Sequence, residues 1–308
     1  MEKDLWRIVF MGSPEIAVPA FHSLAEAYTV TGIVTQPDRP AGRGKKILSS
    51  AVKLAAAELG IPVMQPEKLQ TPEAFEQLTD WSPDLIVVMA YGQILRKGVL
   101  ELPKYGCINV HASLLPRWRG ASPIQAAILA GDAQTGVTIM KMDPGMDSGP
   151  VLAMKSVDID PVDTADSLSK RISVLGAQLL LATLPGYLDG TISAKPQPET
   201  GITYASLIKK QDGLLDFSKT ASELERKVRA FNPWPSAFFF MDETMVKINR
   251  AHTAPAENMM KPGKRTLYKN MPAIMTGEGL LVLDEIQCAG KKSMDCRAFL
   301  AGNRGWLS

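Results

Sequence analysis

The feature that most constrains the fold is an alternation of short, continuous apolar runs with helical patterns through the first 190 residues. Helical patterns at 50–59 and 122–130 lie between the runs, and a longer one at 164–188 follows them. Strands that are apolar throughout are typical of a sheet buried on both faces, and their alternation with helices indicates a parallel arrangement. We therefore predict an α/β domain with a mostly parallel sheet, with strands at Arg7–Met11, Tyr28–Thr35, Leu85–Ala90, Gly106–His111 and Gly136–Met142.

The composition changes after Gly190. The stretch 191–203 is polar and rich in proline and threonine, which is typical of a linker. After an amphipathic pattern at 221–231, short strand-like runs separated by turn signals predict a small β-barrel. We predict an α/β domain over residues 1–190, a linker over 191–206 and a β-barrel domain over 207–308.

Charge and cysteine usage limit the class of partner and the compartment. Residues 207–308 carry 16 Lys+Arg against 11 Asp+Glu, and the remaining residues carry 18 against 21, so the tail is mildly basic. That distribution is compatible with a polyanionic partner. Three cysteines without C-x-x-C spacing and a start without a signal layout predict a cytoplasmic protein. We see no apolar run near eighteen residues, so we expect no membrane partner, and a monomer is our default.

Asn109 and His111 end an apolar strand-like run. Side chains at i and i+2 of a strand point to the same face, and the carboxyl ends of parallel strands are where open α/β sheets bind ligands. An amide can donate to a developing oxyanion and an imidazole can move protons. A lone Asn-x-His more often satisfies turn hydrogen bonds, so the interpretation as a site depends on a third group nearby.

Asp147 supplies that group in the glycine-flanked stretch Asp143–Gly149. Asp143 is predicted to be an ordinary turn former, whereas Asp147 lies between glycines that let the backbone approach a ligand closely. An amide, an imidazole and a carboxylate suit acyl transfer to an amine. No serine or cysteine nucleophile is among these three residues, which favours direct transfer over a covalent acyl-enzyme.

Two loops could bind ligands. After His111, the residues Ser113, Leu114, Leu115 and Pro116 could hold a flat, amphipathic ring system. The loop Gln36–Lys46 carries four basic residues, Arg39, Arg43, Lys45 and Lys46, and one acid. It is predicted either to contact phosphates or to be a solvated surface loop.

Other patterns are weaker. The glycine spacing excludes a Walker loop and a dinucleotide fingerprint, and His22 and His252 stand at no metal-ligand spacing, so we expect no metal. The aromatic stretch Phe231–Phe240 is predicted to be a packing seam or a base-stacking surface, of which packing is commoner.

Five blocks together resemble the methionyl-tRNA formyltransferase family over nearly the full chain. They are Thr35–Lys46, Ala90–Leu95, Gly106–Gln125, Gly136–Gly149 and Arg229–Pro235. The Gly106–Gln125 and Gly136–Gly149 blocks look like those of the wider 10-formyltetrahydrofolate transferase superfamily. The first and last look specific to its tRNA-formylating branch.

The resemblance implies transfer of a formyl group from 10-formyltetrahydrofolate to the α-amino group of methionine on initiator methionyl-tRNA. It implies a Rossmann-like formyltransferase domain, followed by an OB-like β-barrel domain that binds tRNA. The family's catalytic residues fall on Asn109, His111 and Asp147, and its folate contacts fall on Ser113 to Pro116. Its tRNA-acceptor loop falls on Asp38 to Lys46, where we rank Arg43 first.

Two other functions stay open at this point. One is a formyltransferase for a small amine, such as an amino sugar or a glycinamide nucleotide. The other is a tRNA-binding module on an inactive Rossmann-like domain.

Overall fold

The structure is a computed structural model that describes residues 4–41, 46–257, 261–303 and 305–307. The chain divides into two compact units. The first is formed by Met1–Pro123, Gln134–Asp158 and Ser169–Ala205, and the second by Ile124–Ala133, Ile159–Leu168 and Ser206–Ser308. The second unit therefore includes two segments from before residue 190. The domain boundaries drawn at residues 190 and 206 stay a prediction.

The first unit is built on a seven-stranded sheet. Its strands, with those of two small accessory sheets, are β1 (Asp4–Gly12), β2 (Tyr28–Val34), β3 (Arg39–Ala41), β4 (Lys46–Leu48), β5 (Val63–Met64), β6 (Leu85–Met89), β7 (Cys107–His111), β8 (Arg119–Gly120), β9 (Gln134–Lys141), β10 (Val151–Asp158) and β11 (Tyr204–Ala205). The order in the main sheet is β10-β9-β7-β6-β1-β2-β5. The pairs from β7 through β5 are parallel, and β9 and β10 are added antiparallel. The predicted mostly parallel sheet is confirmed.

Helices connect the strands. They are α1 (Val18–Ala27), α2 (Ala51–Glu58), α3 (Pro72–Asp80), α4 (Lys97–Leu100), α5 (Pro123–Ala130) and α6 (Ala165–Leu188). The Ser50 side chain accepts a hydrogen bond from the Lys53 backbone and caps α2, and Thr71 caps α3 through the Ala74 backbone. Both residues stop the preceding segment and satisfy an amide that the helix itself leaves without a partner.

The strand order places the functional end of the sheet. Ile8, Val9, Phe10 and Met11 on β1 are fully buried, as the continuous apolar run predicts. Strand β2 pairs with one side of β1. Strand β6 pairs with the other side, and β7 lies next to β6. The order of strands therefore reverses beside β1. In open α/β sheets, ligands bind outside the carboxyl ends of the strands at such a reversal.

Helix α6 bears on the expectation that the chain has no membrane partner. It is the one helix in the described part of the chain that is long and apolar enough to cross a bilayer by length and composition. Its side chains Leu168, Ile172, Leu180 and Leu184 are fully buried. A buried core helix meets the same two criteria, so this helix alone is weak evidence for a membrane.

The second unit is built on antiparallel strands. Its elements after residue 206 are α7 (Ala221–Ala230), β12 (Ala237–Met241), β13 (Thr244–Ala254), β14 (Arg265–Tyr268), β15 (Met271–Met275), β16 (Leu280–Cys288), β17 (Met294–Asp295) and α8 (Cys296–Gly302). The order is β12-β13-β16-β15-β14, and β17 also pairs with β16. The register of β13 shifts on either side of Arg250, and such a bulge bends a strand. The antiparallel domain is confirmed, whereas its closure into an OB-like barrel stays a prediction.

We predict that Gly32→Ala destabilises the first unit. A Cβ at Gly32, inside β2, would lie 2.3 Å from two ring atoms of Trp81. Overpacking of this kind costs about 1–3 kcal/mol of unfolding free energy. The change is measured as the urea midpoint of the variant against the unchanged chain. Gly302→Ala is the matched control, because a Cβ there meets nothing within 4 Å. Equal midpoints for the two variants would contradict the packing argument.

Candidate active site

The structure brings the three predicted catalytic side chains together. Asn109 is the middle residue of β7 and His111 its last, and Asp147 lies in the loop between β9 and β10. The Asn109 Nδ2 lies 3.4 Å from Asp147 Oδ1, and the His111 Nδ1 lies 3.7 Å from Asp147 Oδ2. The His111 and Asp147 side chains are 6% and 18% exposed, so both interactions are shielded from bulk water. Their roles in catalysis stay a prediction.

The Asp147 carboxylate is the centre of this cluster. Its Oδ2 accepts a hydrogen bond of 2.8 Å from the backbone N–H of Gly120, and its Oδ1 accepts from Asn109. Asp147 itself has φ 48°, in the left-handed region that few non-glycine residues adopt. Surrounding contacts must over-determine such a conformation for it to persist. The carboxylate is therefore held in one place by interactions on both its side chain and its backbone.

The His111 ring lies between two oxygen acceptors. Its Nε2 is 3.0 Å from the Trp118 carbonyl oxygen, which can only accept, so this nitrogen carries a proton in that bond. Asp147 faces the other nitrogen, Nδ1, at 3.7 Å, which is too long for a hydrogen bond. The Trp118 carbonyl, rather than Asp147, orients the ring. The bond to Trp118 leaves Nδ1 as the ring nitrogen that faces Asp147.

Asp143 has the local role predicted for it. Its Oδ1 accepts from the backbone N–H of Gly145 at 3.0 Å, and the Ser148 hydroxyl donates to the same carboxylate. These bonds satisfy Asp143 within its own turn. Asp147 is the carboxylate of this loop that accepts from Asn109 on β7.

The loop after β7 has its own internal scaffold. Ser113 is fully buried and its Oγ donates to the Arg117 carbonyl at 2.6 Å. Leu115 is also buried, and its N–H donates to Thr138 Oγ1. Leu114 and Pro116 are the two members of the predicted folate set that remain half-buried. Their side chains are therefore accessible to a ligand. The contacts of this loop with folate stay a prediction.

The segment predicted as a linker supplies residues that the sequence reasoning missed. Gln197 Nε2 donates to the carbonyls of Asp147 and Gly149, each at 2.8 Å. Thr203 Oγ1 accepts from the backbone N–H of Trp118 at 2.9 Å, and β11 pairs with β8. The sequence held only a weak signal for this role, since Pro196 on the amino side of Gln197 merely restricts the backbone.

Of the basic loop Gln36–Lys46, the structure describes residues 36–41 and the backbone of Lys46. Strands β3 and β4 pair antiparallel, and Asp38 just before them accepts from Lys53 Nζ at 2.6 Å and from Gln65 Nε2 at 2.7 Å. The Lys53 ammonium and the Gln65 amide together hold the pKa of the Asp38 carboxyl below its ordinary value. The Arg39 side chain is 69% exposed.

Arg43 and Lys45 lie outside the described residues, and so does the side chain of Lys46. The tRNA contacts of Arg39, Arg43, Lys45 and Lys46 stay a prediction.

The aromatic stretch mainly packs inside the second unit. Phe231, Phe238 and Phe239 are buried, whereas Trp234 and Phe240 are 57% and 53% exposed. These three buried phenylalanines therefore serve in packing.

Two family models cover most of the chain. Residues 7–184 match the model described as "Formyl transferase", and residues 207–304 match "Formyl transferase, C-terminal domain". Together with the parallel sheet and the asparagine, histidine and aspartate beside β7, these matches define a formyl transferase.

Full-length relatives narrow the class. A protein of Myxococcus xanthus named methionyl-tRNA formyltransferase is 47% identical over 97% of this chain and 95% of its own length. A protein of the same name in Lachnospira eligens is 46% identical over 97% of both chains. The chain belongs to the methionyl-tRNA formyltransferase family, which confirms the resemblance seen in the sequence.

Solved structures agree on the fold. WlaRD, described as a sugar 3N-formyl transferase, superposes with a TM-score of 0.66 at 19% identity, over 94% of this chain and 99% of that one. A phosphoribosylglycinamide formyltransferase from Bacillus halodurans gives a TM-score of 0.52 at 26% identity, over 60% of this chain and 96% of that one. At such identities the similarity to WlaRD supports the architecture alone.

We predict that Cys107 is inert to alkylation in the folded protein. It lies two residues before Asn109, is 1% exposed, and burial raises the pKa of its thiol to about 12. The thiolate is the reactive form, so at pH 8 nearly all of the thiol is protonated. Mass spectrometry after iodoacetamide treatment is expected to find Cys107 unmodified in buffer and alkylated in denaturant. Rapid labelling of the native protein would contradict both the burial and the raised pKa of this thiol.

Proposed function

We propose that the chain transfers a formyl group from 10-formyltetrahydrofolate to the α-amino group of methionine esterified to initiator tRNA. One observation carries the proposal. Asn109, His111 and Asp147 converge beside the carboxyl end of β7, in a chain that is 47% identical to a methionyl-tRNA formyltransferase over nearly its full length.

Asn109 is proposed to stabilise the oxyanion. The neutral amine attacks the formyl carbon, and the carbonyl oxygen gains negative charge as the tetrahedral intermediate forms. A side-chain amide has two N–H donors, and the contact with Asp147 uses one of them. The second N–H is available for the oxyanion. Donors that are already oriented before the reaction lower the barrier because they need no reorganisation.

His111 and Asp147 are proposed to move the proton. As the C–N bond to the amine forms, the amine nitrogen becomes positively charged and must lose a proton. The folate nitrogen needs a proton as its bond to the formyl carbon breaks. Nδ1 of His111 lies 3.7 Å from Asp147 Oδ2, so a proton carried at Nδ1 remains beside a compensating carboxylate. This arrangement supports a relay from amine to leaving nitrogen without a covalent enzyme intermediate.

Substrate binding is proposed at two places. The folate would lie against the half-buried Leu114 and Pro116, at the same edge of the sheet as the catalytic residues. The tRNA acceptor end would meet the basic loop Asp38–Lys46, and the mildly basic residues 207–308 would contact its backbone. We further expect a monomer in the cytoplasm, without a membrane partner.

A small-amine formyltransferase is the second candidate. A second domain does not by itself argue against it, since WlaRD aligns over 94% of this chain. The difference in identity does argue against it: 19% to that sugar enzyme and 47% to a methionyl-tRNA formyltransferase. An inactive tRNA-binding module has no need for an asparagine and a histidine that both face the Asp147 carboxylate, at 3.4 and 3.7 Å.

Asn109→Ala is expected to lower the rate of formyl transfer by about 100- to 1000-fold, because removal of one oxyanion donor commonly costs that much. The rate is measured at saturating folate and methionyl-tRNA, and circular dichroism verifies the fold. Asn249→Ala, in β13, is the matched control for loss of a half-buried asparagine. Near-normal turnover of Asn109→Ala would contradict the role given to this amide.

Arg43→Ala is expected to raise the KM for methionyl-tRNA and to leave folate affinity unchanged in a direct titration. The reason is that a lost phosphate contact weakens binding of the polyanion and reduces its salt dependence. Arg96→Ala, an exposed arginine on another segment, is the control. Loss of folate affinity with unchanged use of tRNA would show that the loop serves the donor instead.

A further inference from the structure

Gln197 uses the whole of its side-chain amide. Nε2 donates to the Asp147 and Gly149 carbonyls, each at 2.8 Å. Oε1 accepts from Arg119 Nε at 3.2 Å and from the terminal guanidinium nitrogen at 2.8 Å. The two donors and both lone pairs are therefore occupied. The amide cannot rotate by half a turn, since that would place its N–H groups against the guanidinium and its oxygen against two carbonyls.

Every partner of Gln197 belongs to the surroundings of the Asp147 carboxylate. Asp147 and Gly149 lie on the loop that carries this carboxylate. Arg119, which is only 8% exposed, directly precedes Gly120, and the Gly120 N–H donates to Asp147 Oδ2 at 2.8 Å. The Gln197 side chain thus connects Asp147 to the segment Arg119–Gly120, whose Gly120 N–H donates to the Asp147 carboxylate.

The loop needs such a contact. Asp147 adopts φ 48°, which is unfavourable for a residue with a Cβ. Within the loop, Asp143 accepts from the Gly145 N–H before Asp147 and from the Ser148 hydroxyl after it, and neither bond reaches Asp147 itself. Gln197 bonds the carbonyls of Asp147 and Gly149 and so restrains the backbone of Asp147 directly.

We propose that Gln197 is a positioning residue for formyl transfer: it holds Asp147 and the Gly120 N–H in the geometry at which the carboxylate faces Asn109 and His111. The inference rests on the proposed function, since the geometry it maintains is that of the proposed reaction. Gln197 acts through Asp147 and makes no contact with the reacting atoms. The amide, rather than mere side-chain bulk at this position, is what the site requires.

Two substitutions distinguish the hydrogen bonds that the Gln197 amide donates from the volume of its side chain. Gln197→Ala removes all four bonds. Gln197→Glu keeps the acceptor for Arg119 but replaces the donor by a carboxylate oxygen facing two carbonyls. Both are expected to lower kcat for methionyl-tRNA about 10- to 100-fold at neutral pH, because a misplacement of about 1 Å can cost about 100-fold. The KM for 10-formyltetrahydrofolate is expected to change less than about threefold, because Gln197 acts through Asp147 and not through the proposed folate contacts. Gln70→Ala, an exposed glutamine of the same unit, is the control.

The pH profile gives a signature that a purely structural role would not. In Gln197→Glu, the protonated carboxyl group of the new side chain could donate one hydrogen bond, whereas the ionised form could donate none. The Arg119 guanidinium favours the ionised form of this carboxyl group, whereas the carbonyls of Asp147 and Gly149 and the nearby Asp147 carboxylate favour the protonated form. The activity of Gln197→Glu relative to the unchanged chain is therefore expected to rise as pH falls from about 8 towards the ordinary glutamic acid range near pH 4.3. The same ratio for Gln197→Ala is expected to stay flat. The Gln197→Glu ratio comes from one folded protein at several pH values, so it decides the question even if Gln197→Ala unfolds.

A double variant tests the route through Asp147. If Gln197 acts through that carboxylate, Gln197→Ala adds little further loss on an Asp147→Asn background. A loss of equal size on both backgrounds, or an unchanged kcat with a flat pH ratio, would overturn the positioning role while leaving formylation itself intact. If the unchanged chain failed to formylate methionyl-tRNA, the proposed function would fall first and this inference with it.

Discussion

The interaction on which the site depends is the set of hydrogen bonds around the Asp147 carboxylate. One oxygen takes the Asn109 amide and the other takes the Gly120 N–H, while His111 lies 3.7 Å away. A carboxylate removed from bulk water must be compensated by donors of this kind. Because the donors come from separate segments, the carboxylate also fixes where those segments lie relative to one another in the first unit.

The sheet makes this convergence possible. Strand β7 lies beside β6 and delivers Asn109 and His111 to the same edge, because alternate residues of a strand share a face. The antiparallel strands β9 and β10 then supply the loop that carries Asp147. The segment 191–206 completes the arrangement through β11 and Gln197. A stretch that looked like a simple connection is thus bonded directly to the loops of the site.

Sequence reasoning predicted the parts that depend on side-chain pattern. Continuous apolar runs predicted the parallel sheet because such strands are buried on both faces. The spacing of Asn109 and His111 and the glycines around Asp147 predicted their meeting. The partner of His111 Nε2 could not be predicted, since it is the backbone carbonyl of Trp118. Gln197 was missed for the same reason, because its amide bonds backbone oxygens 50 and 48 residues away.

The most direct test is formylation by the purified chain of initiator methionyl-tRNA, elongator methionyl-tRNA and free methionine, each with 10-formyltetrahydrofolate. We predict rapid product with initiator methionyl-tRNA and little with the other two acceptors. Equal rates on all three would contradict the proposed recognition of tRNA. No product with any acceptor from the folded protein would contradict the conclusion that the residues around Asp147 transfer a formyl group to the methionyl amine.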